Sequence, residues 1–310
     1  MSRPSEILNY RLRHLLQNIM VSPPPILCLG ETLWDVLPDG TFLGGAPLNV
    51  AAHLTRLNAP AVLVSRVGAD TRGRLALEQM RAMNLRIDAV QIDPDVPTGE
   101  ARATLDSSGS ASYVFPQPAA WDRIEADATT LELARSAPAV VFGTLAQRSR
   151  AGRDATRRIL DAARWRVFDA NLRSPHDDRE VALDSLARAN FVKLNEHELL
   201  AFARWLNIGA EHELIQECLA EQFGTSTLCI TRGAEGAFLW HMGQWISQPA
   251  YPTQISNTIG SGDSFLAMLL AELFAGSAPT LAMERAARLA AYVASQPGAV
   301  PDYDAKFFRR

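Results

Sequence analysis

The 310-residue chain has only three cysteines, Cys28, Cys218 and Cys229, with no C-x-x-C spacing among them. So sparse and odd a set excludes a disulfide framework and a structural zinc site, and it points to a reducing compartment, so a cytoplasmic location is expected. Cys28 and Cys229 stand in the apolar runs ILCLG and TLCIT, where each reads as a small buried hydrophobe. No stretch reaches the roughly 18 consecutive apolar residues that span a bilayer, so no membrane partner is expected. Charge of one sign is also lacking. The formal net charge is -4 with no long run of either sign, which removes the basic footprint that nucleic acid requires. A mildly acidic chain that handles an anion must build its positive field locally, from helix N-termini and a few cations.

Several motifs are missing as well: G-x-x-x-x-G-K-[ST], G-x-G-x-x-G after the first strand, G-x-S-x-G and H-E-x-x-H. P-loop kinases, typical Rossmann dehydrogenases, serine hydrolases and zincins thereby lose their main support. The six histidines are scattered, none paired with another at helical ligand spacing. Residues 1–20 mix Arg3, Arg11, Arg13 and His14 with Leu8, Leu15 and Leu16, but Glu6 interrupts them and no small-residue cleavage site follows. A poorly ordered N-terminal extension over 1–20 is expected rather than a secretory signal, with Met20 an alternative start and Pro23-Pro24-Pro25 marking the extension's end.

What is present has the composition of a globular enzyme, 47% hydrophobic and 21% charged. Short runs rich in β-branched residues recur at 26–30, 61–67, 139–142, 166–169, 191–194 and 227–231, and each suits a buried parallel strand. Between them, spacings such as Leu48, Ala51, Ala52, Leu54 and Leu57 put an apolar stripe on one helix face. The alternation predicts an α/β, doubly wound, mostly parallel sheet flanked by helices over 21–310. Segments of about 36–46 and 96–116 break the rhythm by alternating polar and apolar residues, the second around Ser107-Ser108-Gly109. They predict antiparallel hairpins forming a small sheet, either a lid over a site or a plain edge hairpin.

The sharpest local signal is Asn257-Thr258-Ile259-Gly260-Ser261-Gly262-Asp263, followed by an apolar run from Leu266 to Phe274. It reads as a glycine turn entering a buried helix, whose free N–H groups could hold a transferring phosphoryl group. Asp263 falls in the first turn, where the helix dipole is expected to stabilise its anion and leave it a weak, well-aimed base; it could equally be a helix cap. Thr231-Arg232-Gly233-Ala234-Glu235-Gly236 reads as a glycine turn between strands, able to receive nucleotide phosphates or to be an ordinary hairpin. Lys193-Leu194-Asn195-Glu196-His197-Glu198 closes a strand and opens a helix, at the sheet end where α/β proteins bind ligands. Asn195 and Glu198 could orient water around Mg²⁺ there. Asp35 lies just beyond the first strand, and Gly44-Gly45 leads into a helix bearing Asn49, so hydroxyl groups could meet both places. Asn171 and Arg173 follow Phe168-Asp169, and a guanidinium there could offset phosphoryl charge.

Taken in order, these segments resemble the ribokinase-like, phosphofructokinase-B-type carbohydrate kinases, and within them the bacterial-type fructokinases. The resemblance runs over roughly 25–302 and rests on Gly-Glu-Thr-Leu-Trp-Asp-Val-Leu-Pro, Gly-Gly-Ala-Pro-Leu-Asn-Val-Ala, Phe168-Asp169-Ala-Asn-Leu-Arg173, Lys193-Leu-Asn-Glu196 and the Gly-Ser-Gly-Asp turn. It implies ATP-dependent transfer of the γ-phosphate to a small sugar, D-fructose first, with the β-sheet lid over the sugar and often serving as a homodimer surface. Asp263 would match the base and Gly260, Ser261 and Gly262 the anion hole, with Arg173 near the phosphoryl group. Asp35, Gly44, Gly45, Asn49 and Asn171 would match the sugar site, with Tyr113 and Phe115 facing it from the lid. Lys193, Asn195, Thr231, Gly233 and Gly236 would serve the nucleotide, and Glu198 its Mg²⁺ through water. Asn257 stands where the family usually has an Asp associated with a monovalent cation, so K⁺ activation is an open expectation; Ser261 replaces a commoner Ala. Ribokinase, keto-deoxy-gluconate kinase and nucleoside kinase activities are the alternatives, with a sugar-binding sensor of the same fold beside them and a nucleotide-binding oxidoreductase a distant third.

Overall fold

The structure is a computed structural model that describes residues 23–37, 40–105 and 111–309. The expected extension over 1–20 and the Ser107-Ser108-Gly109 turn lie outside the described residues.

Six apolar runs form parallel strands where the pattern puts them: β1 (Ile26–Leu29), β4 (Ala61–Gly68), β8 (Val140–Phe142), β9 (Arg166–Asp169), β10 (Phe191–Asn195) and β11 (Thr227–Thr231). With β5 (Val90–Asp93), β12 (Ala237–His241) and β13 (Gln244–Gln248) they complete a nine-stranded sheet ordered β13-β12-β11-β10-β9-β8-β1-β4-β5. Only β12 runs against the other eight strands, pairing antiparallel with β11 and with β13. Both faces are buried, as a parallel sheet requires. Successive side chains alternate between two cores: Ile26 and Cys28 join one, Leu27 and Leu29 the other. The chain leaves β1 for β4 on one side and returns to β8 on the other, so the crevice beyond the carboxyl ends of β1 and β8 is the switch point where such sheets accept ligands.

Three helices carry or back that crevice. Helix α1 (Ala46–Arg56) starts at Gly45, whose φ of 120° places it in a region L side chains avoid, and Pro47 suits the first turn, where no N–H is needed. Helix α8 (Ser261–Phe274) is buried on nearly every side from Ser264 to Glu272, which explains its all-round apolar sequence. It packs against α1 and against α9 (Pro279–Ala294). Among the described residues no helix is long and apolar enough to cross a membrane.

The two alternating segments form a separate four-stranded sheet, β3-β2-β6-β7, from β2 (Leu33–Leu37), β3 (Gly40–Gly44), β6 (Gly99–Leu105) and β7 (Ala111–Val114). Each segment is an antiparallel hairpin, as the alternation predicts. The hairpins are joined by parallel pairing of β2 with β6, which sets Asp35 opposite both Phe42 and Ala101.

Candidate active site

The turn before α8 converges on Asp263. Gly260 has φ 75°, and a Cβ there would come within 2.6 Å of Ala299 Cα, so the position accepts only glycine. Ser261 N–H turns back to Thr258 O at 3.3 Å, whereas the amides of Gly262 and Asp263 find no acceptor among the described residues. They are free to meet an anion. Asp263 Oδ2 accepts from Asn49 Nδ2 at 2.8 Å. Burial first, then the nearby Asp169 carboxylate, pushes Asp263 up to about 6, against the Asn49 hydrogen bond and the charges of Lys193 and Arg173. This corrects the expectation of an anion stabilised by the helix dipole. Desolvation outweighs the helix terminus, and the carboxylate becomes a stronger base than an ordinary Asp.

Around it stand the residues that the sequence singles out at other places in the chain. Asp35 is pushed up to about 6, by burial first and by Asp263, with Arg173 opposing. A Cβ on Gly44 would collide with Asp35 Oδ2, and one on Gly45 with the carbonyl of Glu31, so the glycine pair lets lid and helix close together. Asn49 is 5% exposed, and its Oδ1 is buried with no partner among the described residues, leaving one acceptor for an incoming hydroxyl. Arg173 opposes the upward shifts of Asp35 and Asp263, but its guanidinium makes no hydrogen bond or ion pair among the described residues, its carbonyl alone accepting from His176 N–H. Asn171, at φ 43°, lines a cleft with Ala46 and Asp169. A roomier cavity of about 370 Å³ between Arg72, Glu100 and Pro118 includes none of the candidate residues.

Lys193 lies beneath the turn. Its Nζ meets Asp169 Oδ1 at 2.7 Å, both residues buried, and a Cβ on Gly262 would sit 3.4 Å from that ammonium. Burial pulls Lys193 down, but Asp169 and Glu198 more than offset it, so it stays charged. Asn195 caps α6 (Glu196–Leu206) in a reciprocal box: Asn195 Oδ1 accepts from Glu198 N–H at 2.9 Å and Glu198 Oε2 from Asn195 N–H at 2.8 Å. Glu198 Oε1 also takes Leu172 N–H at 2.9 Å, so this carboxylate fixes the loop before Arg173 and keeps only spare lone pairs for water. Thr231 pairs in register with Asn195, and Gly233 and Gly236, at φ 51° and 95°, shape the turn that follows it. Asn257 Nδ2 donates to Gln296 O at 2.8 Å while its Oδ1 accepts from Ile259 N–H. Tyr113 and Phe115 stack at 6.5 Å, and Phe115 meets His176 edge-on at 6.0 Å.

Three further buried residues stand at this site: Glu31 and Asp169, which lie inside quoted segments but are not among the expected site residues, and His53, which lies in no motif. Glu31, 5% exposed, accepts from Ala46 N–H at 3.2 Å; burial pushes it up to about 7, with Arg173 opposing and Asp263 adding. Asp169 ends the apolar strand β9, opposite Lys193 in register.

Residues 38–306 match the family described as pfkB family carbohydrate kinase. The chain belongs to this family. Its activity is therefore ATP-dependent phosphorylation of a carbohydrate. This pfkB kinase is 32% identical over 288 residues to a fructokinase of Klebsiella pneumoniae, covering 82% of this chain and 86% of that one. Its fold matches a crystal structure of Xylella fastidiosa fructokinase with bound ATP at a TM-score of 0.78 and 22% identity, covering 90% and 94% of the two chains. A Vibrio cholerae fructokinase in a fructose-, ADP- and calcium-bound form matches at a TM-score of 0.75 and 22% identity, covering 90% and 95%.

Proposed function

We propose that this pfkB kinase transfers the γ-phosphate of ATP to D-fructose, giving fructose 6-phosphate, with Asp263 as the base. The observation that carries the reading is the convergence of Asn49 and the Gly260–Gly262 turn on an Asp263 pushed up to about 6. A base poised near that value is deprotonated at neutral pH yet able to accept a proton late in transfer. The likeness to three bacterial fructokinases, matched over 79–86% of their own length, supports fructose as the acceptor.

In this reading Asp35 and the unpartnered Asn49 Oδ1 hold sugar hydroxyls and leave the reacting one in front of Asp263. The free amides of Gly262 and Asp263 receive the transferring group, with Lys193 below and Arg173 beside it offsetting charge. Gly44, Gly45 and Asn171 shape the sugar side, and Tyr113 and Phe115 close it from the lid. Thr231, Gly233 and Gly236 line the nucleotide side. Asn195 and Glu198, with the oxygen lone pairs that their capping bonds leave spare, would hold an Mg²⁺ through water. Bound there, Mg²⁺ would neutralise phosphate charge. Asp263 takes the hydroxyl proton as the O–P bond forms and the bond to ADP breaks.

An ADP-release assay over fructose, ribose, keto-deoxy-gluconate and nucleosides tests the proposal. Fructose should give the highest kcat/KM; a nucleoside or ribose in that place overturns the acceptor, and no ADP release with any of them favours the sensor reading.

A further inference from the structure

Among the residues without a motif, His53 stands out as a buried imidazole with both nitrogens engaged. It sits on α1 one turn after Asn49 and is 0% exposed. Nε2 lies 2.9 Å from Ala299 O and Nδ1 lies 2.8 Å from Tyr303 Oη. A carbonyl can only accept, so the proton is on Nε2, and Nδ1 accepts from the tyrosine hydroxyl. The two rings stack 5.7 Å apart at 13°. Tyr303 in turn meets Tyr292 and Phe308 edge-on. Burial first holds the imidazole down to about 4, so it stays neutral through the physiological range and its bonds do not switch.

The segment that His53 grips is the one on which the Asp263 turn rests. Ala299 packs against Gly260, Ala294 O accepts from the amides of Ser256 and Asn257, and Gln296 O accepts from the Asn257 side chain. Ala290 O receives Ser261 Oγ from the turn itself. Helix α1 therefore meets the turn twice: in front, where Asn49 holds Asp263, and behind, where His53 holds Ala299. Arg56 also reaches this segment, but through Asp302, whose side chain is 95% exposed, and so exposed a pair fixes little.

We infer that His53 is a positioning residue for phosphoryl transfer, holding the Gly260–Asp263 turn in register with Asn49 through the backbone of Ala299. The inference rests on the site reading above, in which that turn receives the transferring group. A displaced turn forfeits transition-state contacts while the sugar, held by Asp35, still binds. His53→Phe keeps an aromatic ring, one atom larger, and removes both nitrogens. His53→Gln keeps a terminal N–H for Ala299.

The experiment uses the full chain, with the best acceptor of the sugar panel at saturation and thermal melts alongside. His53→Phe should lower kcat about tenfold or more while the sugar KM moves less than about twofold, and it should weaken ADP–aluminium fluoride binding in the presence of sugar by a similar factor. His53→Gln should recover most of the lost kcat. A His53→Phe chain with kcat within about twofold of the unmodified chain, whatever its melting temperature, overturns the inference, as does equal loss of kcat in both variants. Should His53→Phe not fold, His53→Met decides: its flexible side chain fills the site and removes the N–H that faces Ala299 O, and an unchanged kcat there also overturns it. Turnover that survives Asp263→Asn would instead remove the reading of the turn on which this inference rests.

Discussion

Asn49 Nδ2 donates to Asp263 Oδ2 across 2.8 Å, joining residues 214 positions apart. One helix, α1, thus delivers the amide that aims a carboxylate on another, α8. The bond lowers the Asp263 pKa, so removing it must raise that pKa further while leaving the side chain free to turn. Asn49→Ala should lower kcat about a hundredfold and move the acid limb of the kcat/KM profile to higher pH. Rate against pH from 4.5 to 8.5 reads both effects.

The unmodified chain should itself show an acid limb. A base at about 6 must be ionised to work, so kcat/KM is expected to be flat above pH 7 and to fall towards tenfold per pH unit below the Asp263 value. A profile still flat at pH 5 would show that no group of this pKa is needed in its ionised form.

Asp263→Asn should cost about 10²–10⁴ in turnover with little change in ATP affinity by calorimetry. It should also stabilise the protein at pH 7.5, by about 2 °C in Tm. The sign follows from linkage: Asp263 is raised from 3.8 to about 6 on folding, so its favourable contribution is complete below the lower value and is lost as pH rises through the higher. The variant no longer buries a charge at neutral pH, and its advantage should shrink between pH 7 and pH 5.

Gly44→Ala tests the sugar side. The added methyl collides with Asp35 Oδ2 and must displace the carboxylate. The sugar KM should rise at least about tenfold with the ATP KM unchanged, since hydrogen bonds from a charged partner carry roughly 1.5–3 kcal/mol each.

The carboxamide of Asn257 is neutral and already engaged at both ends, by Gln296 O and by the Ile259 amide. Exchanging K⁺ for tetramethylammonium at constant ionic strength should therefore leave kcat nearly unchanged. Strong K⁺ activation would mean that an ion displaces this hydrogen bond.

The parallel strands were legible because a strand buried on both faces must be apolar throughout, and little else in the chain is. The hairpins were legible from their alternation. The parallel seam between β2 and β6 was not, since pairing between Asp35 and Ala101 is set by where two distant segments emerge from the core. The short edge strands, Val90–Asp93 and Gln244–Gln248, were passed over because neither carries a continuous apolar run. At the site, glycine turns and strand-end polar residues announced themselves; Glu31 and Asp169 stand inside such segments with nothing local to mark their part in the site, and His53 gives no local signal at all. What defines them is burial beside partners far away in sequence. The direction of the Asp263 shift was misjudged for the same reason. Its helix terminus is written locally, but the layers that exclude water from it come from α1, β9 and β10.

Asp35 sits on an inner strand of the small sheet, paired on both sides, rather than on the body of the kinase. On the proposed reading of Asp35, an acceptor gripped there is fastened to the clasp itself, so any closure of the sheet would carry the sugar with it. ATP arriving alone has no such handle to pull. The molecule should accordingly waste little nucleotide on water, and a poorly fitting acceptor should show itself first as a rise in ADP released per phosphosugar formed.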